Sequence, residues 1–403
     1  MPRPAPLLNI GQPDPASRVP YTGLPVFALG FRPFYLLAAA FAVIGMALWA
    51  GLLLGGFSAA HGPMLPPLFW HAHEMVFGVA AAAVVGFLFT AGKNWTGLQT
   101  PQGPLLAALA AVWLAARVLM WTGPGPLAVA VDVAFLPLCG VLFLRILRRA
   151  ANARNYGLAA ALLILGAVNA GFHFALMAGA PLLALRCVDA AAGLVAMFVT
   201  VIGGRVIPMF STNAIPGIRI RRAAWAERAI VPLTLAAVIV LALPVSGVVP
   251  AVVFASAAVA QVVRWAGWNS VRTLRTPIVA ILHVAYGFLP LGVGLLAVSA
   301  LGGIDRSTAL HALTVGAIGG AIVAMITRTA LGHTGRPLRA GHAERLAYAA
   351  IALAALVRVA GPLLLPRGIW IGVSSAGWVV AFAIYLWKYT PWLLAPRVDG
   401  RDG

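Results

Sequence analysis

Apolar stretches of about 20 residues recur along the whole 403-residue chain, each long enough to cross a ~30 Å hydrocarbon core as a helix. The spacing predicts twelve spans, near residues 34–56, 68–90, 104–122, 126–146, 157–179, 181–203, 229–243, 248–268, 277–300, 308–330, 346–365 and 369–389. Backbone groups in lipid must find partners within the protein, so the predicted fold class is an all-α polytopic membrane bundle of about 12 transmembrane helices. The connections are too short for a soluble domain. They leave one transmembrane helical domain over 34–390, a Pro-rich segment at 1–33 and a tail at 391–403. The first segment lacks the apolar core of a signal peptide, so the first helix is expected to stay uncleaved. Composition agrees: 62% hydrophobic and 9% charged residues cannot clothe a water-facing surface.

The 28 Lys and Arg residues outnumber 9 Asp and Glu, for a formal charge of +19. With the N-terminus in the cytoplasm, 23 of the 28 fall on the N-terminal side of the membrane. Two, Arg306 and Arg367, fall on the opposite connections. That split predicts both termini inside by the positive-inside rule, and it accounts for the basic balance without nucleic acid. Cys139 and Cys187 both fall within spans, where they read as small apolar residues with no disulfide implied.

Ionisable groups are expensive in a bilayer, so their depth is informative. His71, His73 and Glu74 open the second span and His311 lies a turn inside the tenth. His173 and Arg117 lie near the outer ends of spans five and three, and Arg358 in the outer half of span eleven. Asp132 begins span four, and Arg186 and Asp189 lie one to two turns into span six. Nearly all of these groups share the outer half; His283 is an exception. Four histidines in one layer, His71, His73, His173 and His311, make metal or haem ligation the leading expectation, because imidazole is a ligand for both copper and haem iron. The alternative is four helix-capping histidines. In a regular helix His71 and His73 face different neighbours, whereas an extended start would let them chelate one metal. Arg186 and Asp189 share a face and read as an ion pair or as cofactor neighbours. Arg117, Arg186 or Arg358 can neutralise haem propionates, for which the guanidinium offers two parallel hydrogen bonds.

A repeat is visible at an offset of 238. His73, Gly78, Thr96 and Gly97 match His311, Gly316, Thr334 and Gly335. Spans two and ten are eight apart, which fits three sets of four with span six as the third equivalent. There Gly193 matches, but Val188 replaces the histidine. The layout resembles haem-copper oxidase core subunits, with three arcs of helices and low-spin haem held by histidines on helices 2 and 10. Spans six and seven contain no histidine, which argues against the oxidase copper site.

Six polar runs interrupt the aliphatic text: GFRPFYL, FWHAHEMVFG, TAGKNWTG, GGRVIPMFSTN, HALTVGAIGG and MITRTALGHTGRPL. In that order they closely resemble the NnrS family of bacterial membrane proteins of nitric oxide and denitrification responses. The resemblance implies an inner-membrane protein binding haem b and copper, without fixing its reaction. His73 and His311 are the favoured axial haem ligands, with His71 and His173 next for haem or copper, and Glu74 as a candidate for catalytic proton delivery. The partners expected are nitric oxide or a related small gas, membrane lipid and an unidentified electron donor. An oxidoreductase resembling nitric oxide reductase is one reading. A transporter of a metal or nitrosylated iron complex, and a non-catalytic nitric oxide sensor, are the rivals.

The three cytoplasmic motifs follow the inward-running spans two, six and ten and read as helix-ending turns, or as an inner-side proton or anion access built on Lys93, Arg205, Arg328, His333 and Arg336. Met177, Met197, Met209 and Met325 are soft donors in principle and core filler by default. No Walker loop, HExxH or CxxC pattern supports nucleotide or hydrolase chemistry.

Overall fold

A computed structural model of the protein describes residues 21–56, 63–123 and 125–400. Residues 1–20 of the predicted N-terminal segment and 401–403 of the predicted tail lie outside these. Among the described residues, twelve helices are long and apolar enough to cross a membrane. They are α1 (Phe31–Leu53), α2 (Pro67–Thr96), α3 (Gly103–Thr122), α4 (Gly125–Arg149), α5 (Ala153–Met177) and α6 (Pro181–Ala214), followed by α7 (Ala224–Ala242), α8 (Val248–Ala266), α9 (Pro277–Ala300), α10 (Arg306–His333), α11 (His342–Leu364) and α12 (Arg367–Leu393). The protein is a multi-pass helical membrane protein. Proline opens α2, α6 and α9, where its missing N–H costs nothing.

Successive helices pack on one another from α3 to α10, and α12 returns to lie along α1. Over their most apolar windows α2, α10, α9 and α6 bury 78%, 72%, 67% and 61% of their residues, against 28–44% for the other eight. The three helices expected to be equivalent therefore form the inner wall, and α9 joins them.

Helix ends depart from the sequence reading at the polar motifs. GGRVIPMFSTN is not a connection; it forms the last turns of α6, with Pro208 inside the helix. Ser211 there bonds the Ile207 carbonyl at 2.8 Å and contacts His283 Nε2 at 2.8 Å, so the polar side chains find partners within the bundle. The NWT of TAGKNWTG likewise finishes α2, and α10 runs on to His333. Polar residues that look like turn formers in an apolar text are here helix termini reaching past the hydrocarbon.

The repeat is written in the backbone of α2 and α10. Each is interrupted by a π-helical segment, Glu74–Ala80 and Ala312–Gly319, beginning one residue after His73 and His311. Gly78 and Gly316 lie inside these segments. Gly97 and Gly335 both take left-handed φ values, 69° and 79°, where glycine is favoured as a helix stop. α6 is α-helical throughout, so the third unit lacks this feature. Extra backbone groups are exposed at a π segment, and such segments recur at functional sites. In α2 the indole N–H of Trp113 donates to the Gly78 carbonyl at 3.2 Å. A methyl on Gly316 would fall 2.4 Å from Phe288, so the α9–α10 contact requires glycine there.

Candidate functional site

The outer-layer residues assemble into two separate constellations. The first lies among α2, α3, α4 and α5, with Asp132 at its hub. His173 Nε2 donates to Asp132 Oδ2 at 2.9 Å and Asn169 Nδ2 donates to the same oxygen at 2.8 Å. Arg117 binds the other carboxylate oxygen and also donates to Glu74 Oε2 at 2.8 Å. His73 sits between, its Nδ1 3.0 Å from Glu74 Oε1 and its Nε2 3.1 Å from Asp132 Oδ2 and 2.9 Å from Asn169 Oδ1. His73 and Glu74 are wholly buried, and the rest of the group nearly so. Gly78 makes this possible: a Cβ there would stand 3.0 Å from the Arg117 guanidinium and 3.3 Å from Glu74 Oε2.

Chemically this is a dry two-histidine, one-carboxylate donor set. Ligand atoms of His73, Asp132 and His173 lie within 4.8 Å of one another, the spacing of a candidate metal site. With both carboxylates ionised, Arg117 cancels one of two negative charges, and a bound cation or an imidazolium would cancel the other. Unpaired charge at this depth would be costly.

The second constellation lies between α2, α10 and α11. His311 Nδ1 donates to the Ser307 carbonyl at 2.6 Å. A carbonyl only accepts, so this bond places the hydrogen on Nδ1 and leaves Nε2 of the neutral ring as the donor atom, the arrangement by which ligating histidines are oriented. His71 stands within electrostatic range of His311, and Arg358 within range of both. Arg358 also donates to Ser307 Oγ at 2.9 Å and lies over the Trp370 ring at 4.7 Å. The His71 ring stacks on Trp49 of α1, with centroids 4.4 Å apart and planes 10° apart, while its buried Nδ1 has no hydrogen-bond partner.

Several expectations change in this geometry. His71 and His73 are both helical and diverge, so the extended two-histidine chelate does not form. The structure does not bring His73 together with His311: both His73 nitrogens are engaged in the Asp132 cluster, and the histidine within electrostatic range of His311 is His71. Arg117 is held by two carboxylates and is not free for a propionate. Asp189 pairs with Arg306 at 2.6 Å, not with Arg186, because Arg306 is the first residue of α10 and reaches across to α6. One terminal nitrogen of Arg186 is buried without a partner. Glu74 has both oxygens occupied. His283, between Ser211 and Ser270, and His333, against Phe31, stand apart from the layer. Met177 and Met209 are exposed on the surface, whereas Met325 turns into the bundle.

Asp132 stands out in the sequence as one of the polar layer but not as its hub, and Asn169 and Trp49 do not stand out there. Asn169 carried a signal, since it lies four residues before His173 on the same helix face. Trp49 carried none beyond its place near a membrane interface.

Fold and site together define a polytopic helical membrane protein with two histidine clusters, the one around Asp132 buried. The NnrS protein family model matches residues 25–397, and the chain belongs to that family, membrane proteins of the nitric oxide response. No curated protein matches the chain.

Proposed function

We propose that this chain binds haem b and copper in the bacterial inner membrane and acts on nitric oxide, in its metabolism or in defence against nitrosative stress. The observation that carries this reading is that His311, oriented through Nδ1 by a backbone carbonyl, lies within electrostatic range of His71, whose buried Nδ1 has no partner. An orphaned imidazole nitrogen within electrostatic range of an oriented one fits a haem held between α2 and α10. Arg358, close to both rings, is placed to meet a propionate, and Arg186 is a second candidate. His73, His173 and Asp132 would hold copper, for which imidazole and carboxylate are suitable donors.

Ferrous haem, if bound at such a site, would supply an iron able to bind nitric oxide. The chain supplies an apolar surround into which a small uncharged gas partitions, and two rings fixed by Trp49 and Ser307. Glu74 holds His73 and Arg117 in place, so its role here is positioning rather than proton delivery. Purified protein is expected to show a Soret band that shifts on addition of nitric oxide, and an electrode trace with reductant present separates consumption from binding. Haem-free protein that performs counterflow of a labelled solute would overturn this reading in favour of a carrier.

The distribution of Lys and Arg supports both termini in the cytoplasm. A fluorescent protein fused to the C-terminus is expected to fluoresce, and a periplasm-dependent phosphatase fused there to stay inactive. The reverse pattern would invert the topology.

A further inference from the structure

An apolar chamber, partly open at its edge, lies between the inner helices, away from both histidine centres. Its volume is about 100 Å³, and its walls come from α1, α2, α6, α9 and α10. Small residues open the space: Ala83 on α2, Gly203 on α6 and Ala321 on α10. Around them stand aliphatic and aromatic side chains such as Phe87, Val199 and Ile322. Tyr286 lines the wall but commits its hydroxyl to Gln261 Oε1. Water entering here would find almost nothing to bond, and apolar cavities of comparable size, ~150 Å³, stay dry and take up xenon or benzene.

Two further features fix what the chamber admits. On the cytoplasmic side by the proposed topology, one turn beyond Val206 and Met325 of the lining, Phe210 and Arg328 meet across α6 and α10. The guanidinium lies 3.7 Å from the ring centroid. Arg328 is largely buried and sets a positive charge at that end, a barrier to cations. Toward the other side, Ile318 of the lining is seven residues from His311 along α10.

We propose that this chamber is a binding site for small neutral apolar molecules, diatomic gases above all, held between the inner helices. The gas site stands on the cavity and its lining alone; only its service to the histidine pair rests on the haem reading above.

The test is to pressurise crystals of the full-length protein with xenon and locate it by anomalous scattering. Xenon is expected between α2, α6 and α10, and is expected to be lost in Ala321→Phe and in Val199→Phe, each of which fills the space from a different helix. Absence of xenon from the wild-type chamber overturns the proposal. So does a lipid or detergent chain occupying it, or xenon confined to the lipid-facing surface. Haem content is not read by this experiment: xenon in a protein without haem leaves the chamber standing while the haem reading falls, and a haem-loaded protein without xenon does the opposite.

Discussion

His311→Ala protein is expected to purify as a folded bundle that has lost its Soret band, its haem content falling more than about tenfold. Ligand-orienting partners alone are worth roughly 10–100-fold in metal affinity, and the ligand itself should be worth at least as much. The same loss is expected for His71→Ala, because His71 is the other candidate ligand within electrostatic range of His311. Both rings lie near the N-terminal ends of their helices, and neither bonds a side chain of the Asp132 cluster, so deleting one should not unfold the protein. Trp49→Leu should have a smaller effect, loosening the ring it stacks on without removing a donor. Optical spectra of the variants, normalised to protein, check all three.

Asp132→Ala is expected to destabilise the protein by about 3–5 kcal/mol, the usual cost of stripping one partner from a buried ion pair. Four side chains, Arg117, Asn169, His73 and His173, converge on this one carboxylate. Its removal leaves a guanidinium buried with Glu74 as its sole carboxylate, in a place water does not reach. Asp132→Asn keeps an acceptor and should cost less. The double variant Asp132→Leu with Arg117→Met should recover part of the loss, since it removes the uncompensated charge. Thermal unfolding in detergent measures the order, and a wild-type midpoint for Asp132→Ala would contradict the role given to the cluster.

The twelve spans were legible because apolar length is a direct requirement of the bilayer, and α1 to α12 follow the predicted stretches closely. Their ends were not, because Gly, Pro, Asn and Thr in GGRVIPMFSTN signal a turn locally while Ser211 and its neighbours are satisfied by α9 and by the helix itself. The depth of the site was legible for a related reason: charge is so rare in this sequence that its placement stands out. Pairing was not. Arg186 and Asp189 share a face, yet Asp189 takes Arg306 from α10, a choice made by the packing of helices far apart in sequence. The π segments at Glu74–Ala80 and Ala312–Gly319 were also hidden, although their positions coincide with the repeat that the histidines and glycines had marked. Their effect is to change the facing of residues that follow, which simple helical spacing from His73 cannot anticipate.

On the proposed function, the four histidines serve two distinct centres, His71 with His311 and His73 with His173. The most direct test is to measure haem and copper per protein in His311→Ala and His173→Ala side by side. A crossed result is predicted, with haem lost and copper kept in His311→Ala, and copper lost and haem kept in His173→Ala. Loss of both groups from either variant, with the fold intact, would contradict it.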